Sequence, residues 1–181
     1  MEFNFIGKME KHTTISTLHQ LLDFNTQNFV VGEVYLQKAL HHWIEKASAV
    51  KLKAVFQKYL EHTQHNVKSF EKFIDSEKMH LISNENKILT TLIEDVSIRF
   101  ELCSDPEIKD ACLLASVQVI NHYKICIYGT AAAYATTLGM EEAAKLFKMA
   151  EINEKQIDDR LSQMAEFEIN KRATTPIVLS N

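Results

Sequence analysis

The sequence has few residues that interrupt helices. Its 181 residues include four glycines and two prolines, and between Gly32 and Gly129 there is no glycine and one proline, Pro106. A sheet with many tight turns requires more of both residue types. The sequence therefore predicts long helices joined by short connections.

Cysteine, net charge and long apolar runs are also limited. The three cysteines, Cys103, Cys112 and Cys126, are odd in number and lack metal-ligand spacing, so we expect reduced thiols, with Cys126 buried and inert. The net charge is −4 and basic residues are spread among acids, which argues against nucleic-acid binding. No apolar run approaches the roughly 18 residues of a membrane span, and residues 1–14 lack signal-peptide features. These absences predict a cytoplasmic protein that binds neither nucleic acid nor membrane.

Apolar residues recur every three or four positions over four long segments and one short one, which is the spacing of helix faces. Hydrophobic residues make up 46% of the chain, enough for one substantial core. We predict an all-α four-helix bundle with an additional short connecting helix between its two helical hairpins. The predicted organisation is a loose N-terminal leader at 1–12, the bundle at 13–170 and an irregular C-terminal tail at 171–181.

Local signals mark several helix ends. We expect Thr13 or Thr14 to cap the first helix. The run Ser104-Asp105-Pro106-Glu107 offers a cap, a proline in the first turn and a glutamate three residues after the serine, and Gly139 can end that helix in a left-handed conformation. The predicted helices lie at about 13–47, 52–82, 84–102, 104–138 and 141–169, and the short one is expected to bury Ile88, Leu92, Val96 and Phe100.

Polar residues interrupt the apolar face of each long helix. Glu33 lies in the stripe that contains Phe29 and Leu36, and Glu154 lies in the stripe that contains Ala150 and Ile157. A buried carboxylate is unfavourable unless something pairs with it, and inward carboxylates and histidines of helical bundles commonly bind metals. The predicted site residues are Glu33 on the first long helix, His62 on the second, Asn121 and Lys124 on the third, and Glu154 and Asp158 on the fourth.

Four segments of the sequence resemble one known group of proteins. They are GEVYLQKAL at 32–40, KLKAVFQKYLEHT at 51–63, NHYKICIYGT at 121–130 and EINEKQIDDRL at 151–161. Over roughly residues 15–166 the chain resembles the YciE/YciF-like ferritin-like proteins, stress-associated bacterial proteins of unknown biochemical activity. The resemblance implies a ferritin-like bundle, often a homodimer, with a carboxylate-bridged two-metal site inside.

The resemblance assigns metal-ligand positions, but this chain fills them only in part. Glu33, Glu154 and Asp158 match acidic positions of the group, and His62 stands where a glutamate is usual and would still be able to bind a metal. Asn121 and Lys124 stand where the group usually has two glutamates. The resemblance therefore implies a vestigial metal site that has lost two bridging carboxylates.

The substitutions lead to two main hypotheses. In the first, the chain is a non-catalytic or metal-poor bundle protein without a cofactor, in which Lys124 pairs with Glu33 or Glu154 and Asn121 serves as a neutral hydrogen-bond partner. In the second, it is a di-iron or di-manganese carboxylate protein with oxidase or peroxide-consuming activity, and nearby tyrosines are redox partners. A third possibility is a bundle that binds a small apolar ligand. We expect the protein to form a homodimer. Under the first hypothesis we also expect no catalytic residues and no enzymatic activity. The tyrosines considered are Tyr59, Tyr123 and Tyr128.

Overall fold

The computed structural model describes residues 14–79 and 85–174, and all regular structure within these two ranges is helical. The predicted all-α class is confirmed. The predicted leader at 1–12 and the end of the predicted tail, 175–181, lie outside the described residues. The helices are α1 (Leu18–Lys46), α2 (Val50–Ser76), α3 (Lys87–Leu102), α4 (Pro106–Thr137), α5 (Glu141–Met164), a π-helical turn (Ala165–Ile169) and α6 (Asn170–Ala173).

The helices form the predicted bundle of two hairpins with a connecting helix. Helix α1 packs along α2, and α4 packs along α5, while α3 joins the hairpins and rests on α4 and α1. Two groups of buried apolar side chains fill the interior, one around Leu40 and Phe56 and one around Phe70 and Phe147. No helix in the described part of the chain is long and apolar enough to cross a membrane.

The observed helix starts correct two predicted caps. Helix α1 begins at Leu18 because the Thr17 side chain accepts a hydrogen bond from the backbone N–H of Gln20, so Thr14 is not the cap; Thr13 lies outside the described residues. Helix α4 is capped by Asp105 instead of Ser104, with Pro106 in the first turn as predicted. The side chain of Asp105 is short enough for its carboxylate to accept hydrogen bonds from the backbone N–H groups of Glu107 and Ile108 in the first turn.

The predicted end of α4 is confirmed at Gly139. This glycine has a φ of +71°, a left-handed conformation that is unfavourable for residues with a Cβ. It allows the chain to turn directly into α5, which begins at Glu141.

The buried face of α3 differs from the predicted one. The structure buries Leu89 and Ile93, whereas Ile88 is 59% exposed and Leu92 is half-buried against the core. The reason is a close approach to α1. A Cβ on Gly32 would lie 2.7 Å from Leu89 Cδ2, so the absence of a side chain at Gly32 creates the space that Leu89 fills. Val96 and Phe100 are buried as predicted.

The turn between α1 and α2 is stabilised from outside its own sequence. Asp110 on α4 accepts hydrogen bonds from the backbone N–H of Ser48 at 2.7 Å and of Ala49 at 2.8 Å. Ala49 has no side-chain cap of its own, so this remote carboxylate satisfies the N–H groups that lead into α2. The cap of this turn comes from a distant part of the chain. The local sequence around Ser48 therefore contains only a weak signal for a break between the helices.

Candidate functional site

Lys124 lies at the centre of the bundle. Its side chain is fully buried, and its Nζ lies 2.8 Å from Glu154 Oε1 and 3.0 Å from Glu33 Oε1. Lys124 lies on the buried face of helix α4 and has no exposed surface, so its ammonium group is fully desolvated. The predicted pairing of Lys124 with Glu33 or Glu154 is confirmed, and it occurs with both carboxylates.

Glu33 is held by side chains from two other helices, α2 and α4. The Asn66 amide on α2 donates a hydrogen bond to Glu33 Oε1 at 3.2 Å, and the Tyr128 hydroxyl on α4 donates a short hydrogen bond to the same oxygen. Glu33 itself is 1% exposed. The carboxylate therefore has one cationic partner and two neutral donors, which together compensate much of its loss of hydration.

Glu154 is held mainly by α4. The Asn121 amide donates to Glu154 Oε2 at 2.8 Å and to the Glu154 backbone carbonyl oxygen at 3.1 Å. Burial raises the pKa of Glu154 to about 7, against the opposing effect of the Lys124 charge and with a further increase from Glu33. Two carboxylates share one ammonium group, so part of the negative charge remains uncompensated and favours a proton on Glu154 near neutral pH.

Two buried tyrosines border the charged groups. Lys124 Nζ lies 4.5 Å from the centroid of the Tyr59 ring and 5.9 Å from that of Tyr128, within the range of cation–π attraction. Burial and the nearby carboxylates raise the pKa of both tyrosines well above the ordinary value. Burial alone would lower the pKa of Lys124, but Glu154 and Glu33 outweigh it and the pKa is raised. At neutral pH this site therefore contains one cation and neutral phenols. We call the group Glu33, Tyr59, Asn66, Asn121, Lys124, Tyr128 and Glu154 the polar layer.

Four of the six predicted site residues meet in the polar layer, and two lie outside its contacts. His62 is half-buried at the edge of α2, and its pKa is lowered by burial and by the charges of Lys58 and Lys124. Asp158 is directed toward the exposed His122, with Oδ1 at 3.2 Å from Nε2. The contacts that the structure gives these two side chains are thus different from those expected of metal ligands in the layer. The four that meet are Glu33, Asn121, Lys124 and Glu154.

Helical spacing in the sequence indicates only part of the rest of the layer. On α2 the inward positions are Tyr59, Thr63 and Asn66, but His62, three residues after Tyr59 and four before Asn66, has an equally helical spacing. Tyr128 is four residues after Lys124 and so lies on the same face of α4. Tyr123, considered as a redox partner, is half-buried; burial raises its pKa, and the Asn86 side chain opposes part of that increase.

The donor set of the layer does not fit a two-metal centre. Such centres in bundles use about four carboxylates and two histidines, whereas the layer contains Glu33 and Glu154 with the Lys124 ammonium between them. Within residues 14–79 and 85–174, no group of three or more His, Cys, Asp or Glu side chains is arranged to hold a metal ion. The position between the carboxylates belongs to a cation of the chain itself.

Comparisons with known proteins agree with this fold. The family described as a domain of unknown function (DUF892) matches residues 17–174. Protein YciF of Escherichia coli (strain K12) is 33% identical over 143 residues, which cover 78% of this chain and 86% of that protein.

Two solved structures share the arrangement of helices. The crystal structure of the E. coli stress protein YciF matches with a TM-score of 0.80 and 29% identity over 87% of this chain and 99% of that one. YcfI from Rhodopseudomonas palustris matches with a TM-score of 0.79 and 24% identity over 83% and 96%, respectively, which shows the fold alone. Both agree with the predicted ferritin-like bundle. The chain belongs to the YciF-like family described as DUF892.

Proposed function

We propose that this protein is a metal-independent, non-catalytic member of its family that acts through its surface or by assembly. The single observation that carries the proposal is the position of Lys124 Nζ, within 3.0 Å of carboxylate oxygens of both Glu33 and Glu154. An association with stress is proposed from the description of the matched E. coli YciF structure as that of a stress protein.

The charges of the layer support this proposal. With both carboxylates ionised, Glu33, Glu154 and Lys124 sum to a net charge of minus one. Two divalent ions would add four positive charges. A divalent ion roughly 4 Å from the ammonium group would be repelled by about 8 kcal/mol at an effective dielectric constant of 20. Asn121 adds no charge to offset this repulsion, and its amide nitrogen already faces Glu154 Oε2.

The alternative is an iron or manganese protein with oxidase or peroxide-consuming activity. The feature in its favour is the pair of buried tyrosines, Tyr59 and Tyr128, beside the charged groups. The same rings are explained by packing and by cation–π attraction to Lys124.

The proposed partner is a second copy of the chain in the cytoplasm, and we propose no binding to nucleic acid or membrane. Exposed apolar side chains such as Leu102, 82% exposed, are compatible with a protein contact.

Metal uptake tests the proposal directly. The full chain is incubated with excess ferrous iron or manganese without oxygen, desalted and subjected to elemental analysis. We expect no stoichiometric retention of either metal and no iron-dependent consumption of hydrogen peroxide. Two tightly held metal ions per chain would contradict metal independence, and peroxide turnover by the loaded protein would favour the alternative.

A double variant tests the placement of the site. Asn121→Glu with Lys124→Glu brings the number of glutamates in the layer to four and removes the competing cation, so we expect metal uptake to appear. Lys124→Gln is the matched control, because it removes the cation without adding a carboxylate, and it should bind no metal. If the double variant folds, as judged by circular dichroism, and still retains no metal, the layer is not a metal-site position.

A further inference from the structure

A cavity of about 490 Å³ lies between α1, the start of α3 and the second half of α4. It is separate from the polar layer, because no residue of that layer lines it. Its volume is within the range of about 300–1,000 Å³ that is typical of small-molecule sites. The chemistry of its walls therefore indicates which kind of molecule it can hold.

The close approach of α3 to α1 forms one wall of the cavity. Asn86 is 6% exposed, and its Nδ2 donates a hydrogen bond to the Asn28 carbonyl oxygen at 3.0 Å while its Oδ1 accepts one from the backbone N–H of Leu89 at 3.0 Å. A Cβ on Gly32 would lie 2.8 Å from Asn86 Nδ2, so the contact depends on the glycine. This wall is part of the packed fold, and its amide is held in one orientation.

The other walls are mainly aromatic and aliphatic. Phe24 and Phe29 come from α1, and Tyr123 and Ile127 come from α4, where a separation of four residues puts them on the same helix face. Ile88, 59% exposed, adds apolar surface at the start of α3. Because rings pack favourably against other rings, aromatic side chains from two helices favour an aromatic ligand.

The polar groups of the lining are neutral or offset each other. Asn25 and Asn86 provide amides and Thr130 provides a hydroxyl, while Lys87 Nζ lies 3.9 Å from Glu85 Oε2. An ion taken into the cavity would lose hydration without gaining an uncompensated counter-charge. A neutral molecule with one polar group avoids this cost. The Asn86 carbonyl oxygen has two lone pairs, so it can accept a second hydrogen bond from such a group.

We propose that this cavity binds a neutral aromatic molecule that carries one hydroxyl or N–H group and has about the size of a naphthol. The ring of the ligand packs against Phe24, Tyr123 and Ile127, and its polar group bonds the Asn86 side of the cavity. Ligand binding goes beyond the proposed function, which rests on the charges of the polar layer and on none of these residues.

The experiment titrates the full chain with β-naphthol by isothermal titration calorimetry. We expect saturable binding of a single molecule per chain with a dissociation constant in the micromolar range. Naphthalene-β-sulfonate should bind at least about tenfold more weakly, because its charge would be buried without a partner. Absence of saturable β-naphthol binding, or equal affinity for the sulfonate, would overturn the proposal.

A pair of tryptophan substitutions tests the location of the site. Thr130 and Ala133 are both exposed on α4, but Thr130 lines the cavity, whereas Ala133 lines a separate groove between α4 and α5. Thr130→Trp should weaken β-naphthol binding by at least about tenfold, because the indole occupies or covers the cavity. Ala133→Trp should leave the affinity unchanged. Equal affinities of the two variants, with helix content verified by circular dichroism, would contradict the assignment of the site.

Cys126 provides a local reporter of binding. The sequence predicted this residue to be buried and inert, but the structure places it on the exposed surface of α4. Ile127 packs on the core instead, and adjacent positions differ by about 100° around the helix axis. A trifluoromethyl label on Cys126, in a chain carrying Cys103→Ser and Cys112→Ser, should change its fluorine NMR shift when β-naphthol is added.

The control label is placed on Cys103, in a chain carrying Cys112→Ser and Cys126→Ser. Cys103 precedes the start of α4 and so lies roughly 25 Å from Tyr123 along the helix axis; its label should not respond. A response at neither position, or an equal response at both, would overturn the proposal. These measurements do not involve the polar layer, so their failure leaves the proposed metal independence to be judged by metal uptake alone.

Discussion

Two buried acidic sites in this bundle are balanced in different ways. In the polar layer, Glu33 and Glu154 share the ammonium group of Lys124 at 3.0 and 2.8 Å. At the α1–α2 turn, Asp110 is 4% exposed and bonds the backbone N–H groups of Ser48 and Ala49. One site therefore depends on a cation, whereas the other depends on the positive end of helix α2.

The difference lies in how replaceable each partner is. Backbone N–H groups at a helix start are present whatever the side chain, so the Asp110 site loses its balance only if Asp110 changes or the turn moves. In the layer, among residues 14–79 and 85–174, the Lys124 side chain provides the only full positive charge in contact with the two buried carboxylates. Lys124 is therefore the residue on which the stability of the layer depends most.

Replacing Lys124 with methionine should have the largest effect. The substitution preserves most of the side-chain volume but leaves Glu33 and Glu154 buried without their cation, and we expect a loss of about 3–5 kcal/mol in the free energy of unfolding. Without the cation, which opposes the increase in the pKa of Glu154, the folded-state pKa of Glu154 rises further, so the variant loses stability as the pH increases. The loss, measured by urea denaturation, should be larger at pH 8 than at pH 5.

A substitution in the neighbouring aromatic cluster separates charge from packing. Phe147 is fully buried, and its ring centroid lies 5.6 Å from that of Phe70 and 5.8 Å from that of Phe73. Phe147→Ala should cost about 3 kcal/mol through the cavity that it leaves, by the same amount at both pH values. If the loss for Lys124→Met is equally independent of pH, the charge explanation for the layer is wrong.

Replacing Asp110 with alanine should have the next largest effect. It leaves the N–H groups of Ser48 and Ala49 without their acceptors, at a cost of about 2 kcal/mol. Hydrogen exchange provides the decisive readout, because the amides of Ser48 and Ala49 should exchange much faster while those in the middle of α5 change little. Asp110→Asn keeps one acceptor and should recover part of the protection; unchanged exchange at the two amides in Asp110→Ala would show that they do not rely on Asp110.

The sequence predicted the parts of the site that depend on one helix at a time. Glu33 and Glu154 could be found because each interrupts an apolar stripe, and Lys124 because it replaces an acid within a resembling motif. The pairing of Lys124 with them followed from charge alone. Local end signals were also sufficient at Gly139, where only the backbone conformation matters.

The missed features depend on contacts between distant parts of the chain. Asp110 caps a turn 61 and 62 residues away, and no local pattern indicates that partnership. The buried face of the first half of α3 was predicted one residue out of register because the space above Gly32 decides which side chain fits. His62 was assigned to the layer although the adjacent Thr63 is the buried residue, because rotation of a helix against its neighbours is set by packing, and adjacent positions differ by about 100° around the axis.

Glu154→Gln should have the smallest effect on stability and the most informative pH dependence. The pKa of Glu154 is raised from 4.5 to about 7, so between these values the folded protein binds more protons than the unfolded chain. Stability therefore falls as the pH rises through this window, and the glutamine variant lacks that fall. Near pH 5 the free energy of unfolding of the variant should be within about 1 kcal/mol of that of the original protein. By pH 8 the variant should gain on the order of 1 kcal/mol relative to the original protein.

Glu151→Gln is the matched control on the same helix, one turn earlier. Lys148 and Lys155 lower the pKa of Glu151, so this carboxylate contributes stability above its unfolded-state pKa and loses it only on further acidification. Its replacement should therefore cost a constant amount between pH 5 and pH 8. If the stability of Glu154→Gln relative to the original protein rises with pH, and that of Glu151→Gln does not, then burial keeps the Glu154 side chain protonated near neutral pH. If the difference in stability is independent of pH for both variants, Lys124 keeps Glu154 ionised over this range.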